Sequence, residues 1–211
     1  MLTISFLTAE DKKGFDGFYA IYSLSFPLCE QKSKETLLTM LHSPHYTIFV
    51  AYEKSQCVGF CILFHPLHLD FYLLEYMATH SEIRGKGIGS TLLIQSIQNI
   101  YQKHGQKPLL IEIDSTKFNS EDAEIRAKRE LFYRKIGCLK LNNFDYILAL
   151  KSTQNPPPME LLIYHPSLKA VSKEELQIWI ESIYTLVYDC DKDDERITQM
   201  LLHVKPTIHL I

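Results

Sequence analysis

The sequence predicts a mixed α/β (α+β) fold: a central mixed, mostly antiparallel twisted sheet flanked by helices, with an extra C-terminal helix. Three observations on the 211-residue chain predict it. Segments of period-two and period-3.6 hydrophobicity follow one another as strand, helix, helix, three strands, helix, strand, helix and further strands. A loop with three glycines in five positions, Arg84-Gly85-Lys86-Gly87-Ile88-Gly89-Ser90, stands between the third of the central strands and an apolar-periodic run. Hydrophobic residues make up 46% and charged residues 22%, which suits one globular domain with a well-filled core.

The elements follow in order. Met1 to Thr8 alternates as a first strand, and Thr8 before Ala9-Glu10-Asp11 reads as a cap with acidic residues in the first turn of a helix. Phe15, Phe18, Tyr19, Tyr22 and Phe26 recur at three- and four-residue spacing, an aromatic stripe whose ordinary role is core packing. Pro27 ends that helix. Ser33 to Leu41 repeats the pattern with Leu37, Leu38 and Leu41 on the buried face. Tyr46 to Tyr52 and Cys57 to Phe64 flank a polar turn, a hairpin signal, and Leu69 to Thr79 is a third strand run. After the glycine loop, Leu92, Leu93, Ile97 and Ile100 form a stripe closed by Gly105. Pro108 to Asp114 is a compact strand. Glu121 to Ile136 is a helix with Ala127, Leu131 and Phe132 on its apolar side and Gly137 past its end. Cys138 to Leu141, Tyr146 to Leu150 and Met159 to Tyr164 are strands, with the proline run Pro156-Pro157-Pro158 as a stiff connection before the last. Ser172 to Tyr188 is a final helix, with Glu174 and Glu175 in its first turn.

Composition narrows the partners. A net charge of -3 gives no electrostatic footprint for nucleic acid or an anionic membrane. Five scattered cysteines without a C-x-x-C pair fit reduced thiols in a cytoplasmic protein. The longest apolar region, Phe60 to Ala78, is interrupted by His65, Asp70 and Glu75 and is too polar to span a bilayer. No metal is expected. His42 with His45, and His65 with His68, lack partners at zinc-site spacing and read as turn residues. The acidic run Asp189 to Asp194 starts like a calcium loop but lacks the glycine and the final glutamate.

The glycine loop carries the chemistry. Glycine reaches φ > 0 and admits a ligand close to the main chain. The first N–H groups of the following helix have no intrahelical partners and sit at the positive end of its dipole, which makes an anion cradle. The string is neither a P-loop nor a dinucleotide fingerprint, because position 90 is Ser90 where the latter needs glycine. Arg84, Gly87 and Gly89 instead satisfy Arg/Gln-x-x-Gly-x-Gly/Ala, which resembles the coenzyme A loop of the GNAT superfamily of N-acetyltransferases. Leu131-Phe132-Tyr133-Arg134-Lys135-Ile136-Gly137-Cys138 is similar to that family's Tyr-x-Lys-x-Gly-Phe segment, with Cys138 where an aromatic residue is usual.

The resemblance covers roughly residues 1–165 as an acetyltransferase core and leaves 166–211 as a C-terminal helical extension packed on it within a single domain. It implies acetyl-CoA as cosubstrate, with the pantetheine arm in a gap between the strands Phe71–Thr79 and Pro108–Asp114. Main-chain contacts would come from Met77, Ala78 and Thr79, and the pyrophosphate would rest on the N–H groups of Arg84, Gly85, Lys86, Gly87, Ile88, Gly89 and Ser90. It further implies direct transfer to an amine of a small molecule or protein, by a monomer or homodimer. Tyr133 is then the acid that protonates the leaving thiolate, a task within reach of a phenol of pKa near ~10. Glu75, on the side of Met77 by strand alternation, is the candidate base, with Glu112 and Glu30 as rivals. Arg126 stands where many relatives carry a pantetheine-binding asparagine, as a solvated helix residue or as a contact to the cofactor's 3′-phosphate. The alternative to an enzyme is a module that binds acyl-CoA for sensing or assembly without turnover.

Overall fold

The computed structural model describes residues 2–117, 122–149 and 158–211. The chain divides into two compact units, Met1–Lys107 and Pro108–Ile211.

In the first unit, β1 (Leu2–Phe6), β2 (Tyr46–Glu53), β3 (Gln56–Phe64) and β4 (Tyr72–Thr79) form an antiparallel run in that order. Three helices accompany them: α1 (Lys12–Ser25), α2 (Lys34–His42) and α3 (Ile88–His104). α1 begins three residues later than a cap at Thr8 would set it, because Asp11 caps it by accepting from the Gly14 N–H at 2.8 Å. The aromatic stripe is core, as its spacing predicts. Phe15, Phe18 and Tyr22 are buried against Leu37, Met40, Ile48, Val50, Phe60 and Ile62, and the Phe18 ring meets Phe60 edge-on at 4.8 Å. Each such side chain removed from water contributes roughly 1.5–3 kcal/mol. In α2 the buried pair is Leu37 and Met40, whereas Leu38 is exposed; the three-residue step from Leu37 stays on the inner face and the one-residue step leaves it.

His65 is no surface turn residue. It is buried, shares a hydrogen bond with the Thr47 hydroxyl at 2.9 Å, and stacks on His104 with centroids 4.5 Å apart. Burial first, and His104 second, push its pKa down to about 4.

In the second unit, β5 (Leu109–Asp114) pairs antiparallel with β8 (Pro158–Tyr164), and β8 also pairs with β6 (Leu139–Lys140) and β7 (Tyr146–Ile147). Pro156 and Pro157 of the proline run lie outside the described residues. α4 (Ala123–Ile136) overturns its predicted apolar side. Ala127 and Leu131 are exposed, and Tyr133 is its buried residue. The face that turns inward is Ala123, Arg126, Glu130 and Tyr133, which is mostly polar and held by hydrogen bonds: Arg126 donates to the Ser115 carbonyl at 3.4 Å, and the Thr116 hydroxyl donates to Glu130 at 2.8 Å.

The remaining elements of this unit are β9 (Ala170–Ser172), α5 (Lys173–Leu186), α6 (Glu195–Leu201) and β10 (Thr207–His209), with β10 antiparallel to β9. α5 starts in a full capping box between Ser172 and Glu175. α6 is a second helix beyond the expected one, and the acidic run ends as its cap, Asp194 accepting from the Arg196 N–H. Tyr184 of α5 donates to the Ile147 carbonyl of β7 at 2.5 Å.

Candidate active site

β4 is buried along its first half, and from Glu75 to Thr79 it is only half-buried. The ladder to β3 changes register there: Leu74 pairs with Leu63 and Tyr76 with Ile62, so Glu75 is the extra residue of a bulge. Alternation counted back from Met77 therefore does not carry through Glu75, which corrects the ground on which the sequence put the two residues on one side. Beyond the bulge Met77, Ala78 and Thr79 pair with Cys61, Phe60 and Gly59. Gly59 is needed for this approach, since a Cβ there would meet the Ala78 carbonyl at 3.0 Å and the Thr79 methyl at 3.1 Å.

A single 3₁₀ turn, Ser81–Ile83, links β4 to the glycine loop. Gly85 and Gly87 have φ of +83° and +77°, and Gly87 is the left-handed residue that opens the 17-residue α3 without any side-chain cap. Among the described residues, a Cβ at either glycine would meet nothing within 4 Å. Positive φ thus favours glycine at both positions, and both lie open at the N-terminus of α3, where unpaired N–H groups favour negative charge. Arg84 and Lys86 are exposed beside it, Ile88 is buried and anchors the turn, and Gly89 and Ser90 are half-buried in the first helical turn. A broad concavity of about 950 Å³, lined by Asp11, Gly14, Gly17, Tyr52, Cys57 and His80 among others, contains none of the residues of this loop.

Glu75 itself is held. Its side chain is 4% exposed and its Oε1 lies 2.9 Å from the Lys32 ammonium. Burial pushes its carboxyl above the usual range, while Lys32 and the Tyr46 hydroxyl pull it back down. Neither Lys32 nor Tyr46 is marked out by the sequence, because they lie far from Glu75 in the chain and form no local pattern with it. Glu30, a rival base, offers its carbonyl to the Tyr76 hydroxyl at 2.6 Å.

In the second unit, Tyr133 is 9% exposed, its ring packs edge-on against Phe132 at 5.0 Å, and its carbonyl accepts from the Cys138 N–H. Gly137, at φ +102°, turns the chain out of α4 directly behind it. Cys138 is buried and its thiol is pushed up to about 12 by burial. Glu112, the other rival base, accepts from the hydroxyls of Tyr146 at 2.5 Å and Tyr188 at 2.7 Å. Arg126 turns inward to the Ser115 carbonyl, while Lys128 and Arg129 pair with Glu124 and Asp114.

Residues 44–137 match the acetyltransferase (GNAT) domain family. That segment is similar to GNAT acetyltransferase domains. Structures of GNAT proteins share its fold. A GNAT-family acetyltransferase from Bacteroides thetaiotaomicron, so described without an established activity, is 19% identical with a TM-score of 0.70, over 90% of this chain and 99% of that one. The ribosomal-protein-S18-alanine N-acetyltransferase of Escherichia coli is 18% identical with a TM-score of 0.56, over 80% of this chain and 96% of that one. A GNAT acetyltransferase from Elizabethkingia anophelis with acetyl-CoA bound is 18% identical with a TM-score of 0.56, over 78% of this chain and 97% of that one. No curated protein sequence matches this chain. Among the described residues, no group of three or more His, Cys, Asp or Glu is placed to hold a metal ion, and no helix is long and apolar enough to cross a membrane.

Proposed function

We propose that this protein is a cytoplasmic N-acetyltransferase that passes an acetyl group from acetyl-CoA directly to an amine of a small molecule or protein. One observation carries the reading: the family match over residues 44–137 spans Glu75, Met77, Ala78, Thr79, the whole loop Arg84–Ser90 and Tyr133. The open, left-handed Gly85 and Gly87 at the start of α3 suit a pyrophosphate, and Met77, Ala78 and Thr79 supply the strand end for the pantetheine arm. The acetyl-CoA held by the Elizabethkingia anophelis protein and the protein acceptor named for the Escherichia coli enzyme support the cosubstrate and the amine class. Residues 1–165 form the catalytic core in this reading, and 166–211 an accessory segment.

The neutral amine attacks the thioester carbonyl, a C–N bond forms, and the oxyanion is met by a main-chain N–H near Met77. Glu75 takes the proton released by the amine. The C–S bond then breaks, and Tyr133 gives its proton to the departing thiolate.

The test is acetyl transfer from acetyl-CoA to a panel of amines (spermidine, kanamycin and a peptide with N-terminal alanine), followed by thiol release and by the mass of the product. Thiol release matched by one acetyl group on an amine is expected. Tight acetyl-CoA binding with no acetylated amine would instead describe a module that senses the acyl cofactor.

A further inference from the structure

We infer that Lys32 is a positioning residue for acyl transfer: its ammonium keeps the Glu75 carboxylate ionised and turned so that Oε2 receives the N–H of the acceptor. The inference rests on the reading above, in which Glu75 is the base.

The two oxygens of Glu75 are in different situations. Oε1 is paired with Lys32 at 2.9 Å, whereas Oε2 is buried and has no hydrogen-bond partner among the described residues. A buried carboxylate oxygen without a donor costs about 1–3 kcal/mol, so this atom has acceptor capacity left for a donor. The residues facing the carboxylate are Tyr22 of α1, Lys32 of the connection between α1 and α2, Tyr46 of β2 and Tyr76 of β4, and Glu30 of that connection reaches Tyr76. Lys32 is the cation in this set. Burial and the charge of Glu75 raise the pKa of the Tyr46 and Tyr76 hydroxyls, so they stay neutral donors or acceptors.

Lys32 is also built in. Three consecutive residues of its segment are strapped down: the Glu30 carbonyl accepts from Tyr76 at 2.6 Å, the Gln31 amide donates to the Ser23 and Phe26 carbonyls at 3.0 and 2.6 Å, and the Lys32 N–H donates to the Tyr22 hydroxyl at 2.7 Å. A chance surface ion pair has no such backbone support and is worth little. Here the long side chain is aimed at a carboxylate that, left alone in its buried place, would take up a proton. A protonated Glu75 is no base and no partner for an incoming ammonium.

The experiment follows the Glu75 carboxyl by carbon NMR in protein labelled with carbon-13 glutamate, its signal assigned by loss in Glu75→Gln. Titrations are compared for the wild type, Lys32→Met and Lys32→Arg, beside the pH profile of acetyl transfer to spermidine or the alanyl peptide. The expected result is a midpoint raised by about one unit or more in Lys32→Met, with the acidic limb of kcat/KM moved up by the same interval, and near-wild-type behaviour in Lys32→Arg. A folded Lys32→Met with an unmoved Glu75 midpoint, or with activity lowered equally at every pH, overturns the inference. Calorimetric binding of acetyl-CoA to the same samples separates the two failures: binding retained with Glu75 unmoved removes only the role of Lys32, and a wild type that does not bind removes the reading beneath it.

Discussion

At Tyr133 one oxygen atom separates two accounts of the residue. If the phenol protonates the thiolate, Tyr133→Phe keeps the packing against Phe132 and loses the proton; kcat should fall roughly 10²-fold or more with acetyl-CoA affinity little changed. Steady-state kinetics decide, and an unaltered kcat returns Tyr133 to a packing role. At His65 the chemistry concerns stability. Its folded pKa is about 4 against 6.5 in the unfolded chain. The unfolded state therefore binds the proton first, so the contribution of this residue is complete above pH 6.5, declines as pH falls, and is gone below about 4. The shift corresponds to on the order of 3 kcal/mol at most. Urea unfolding of the wild type should lose more stability between pH 7 and pH 4.5 than that of His65→Asn; parallel profiles would refute the assignment.

Among the elements, the hairpin between β2 and β3 turns through Lys54 and Ser55, both left-handed at φ +49° and +64°, with Glu53 paired to Gln56. That is the two-residue turn for which Asn-Gly is best suited. Lys54→Asn with Ser55→Gly should raise stability by about 1 kcal/mol, read as a higher melting temperature, and an unchanged or lower value would show that another contact holds the turn. At the start of α5, Ser172→Ala removes the capping box and should cost about 1 kcal/mol in the same measurement. The hairpin, the aromatic face of α1 and the stripe of α3 were legible because apolar periodicity reports burial directly. α4 was not, since its inner face is made of Arg126, Glu130 and Tyr133, and a polar face satisfied by hydrogen bonds leaves no hydrophobic period. The bulge at Glu75 was equally silent: an extra residue in a strand changes the register without changing composition.

On the scale of the whole molecule, the glycine loop was legible from a short string because its conformation is local: positive φ at Gly85 and Gly87 favours glycine wherever the chain goes next. The pairing of Lys32 with Glu75, and of Glu112 with Tyr146 and Tyr188, joins residues distant in sequence and becomes visible only in the folded chain. The central claim is that Gly87 and its neighbours hold acetyl-CoA. Calorimetric titration of the intact protein with acetyl-CoA, beside dephospho-coenzyme A and ATP, and repeated on Gly87→Glu, tests it most directly. The predicted result is selective micromolar-range binding of acetyl-CoA that the folded glutamate variant loses, because its carboxylate and its left-handed strain fall where the pyrophosphate would rest. Absence of binding, or binding indifferent to Gly87, would contradict it.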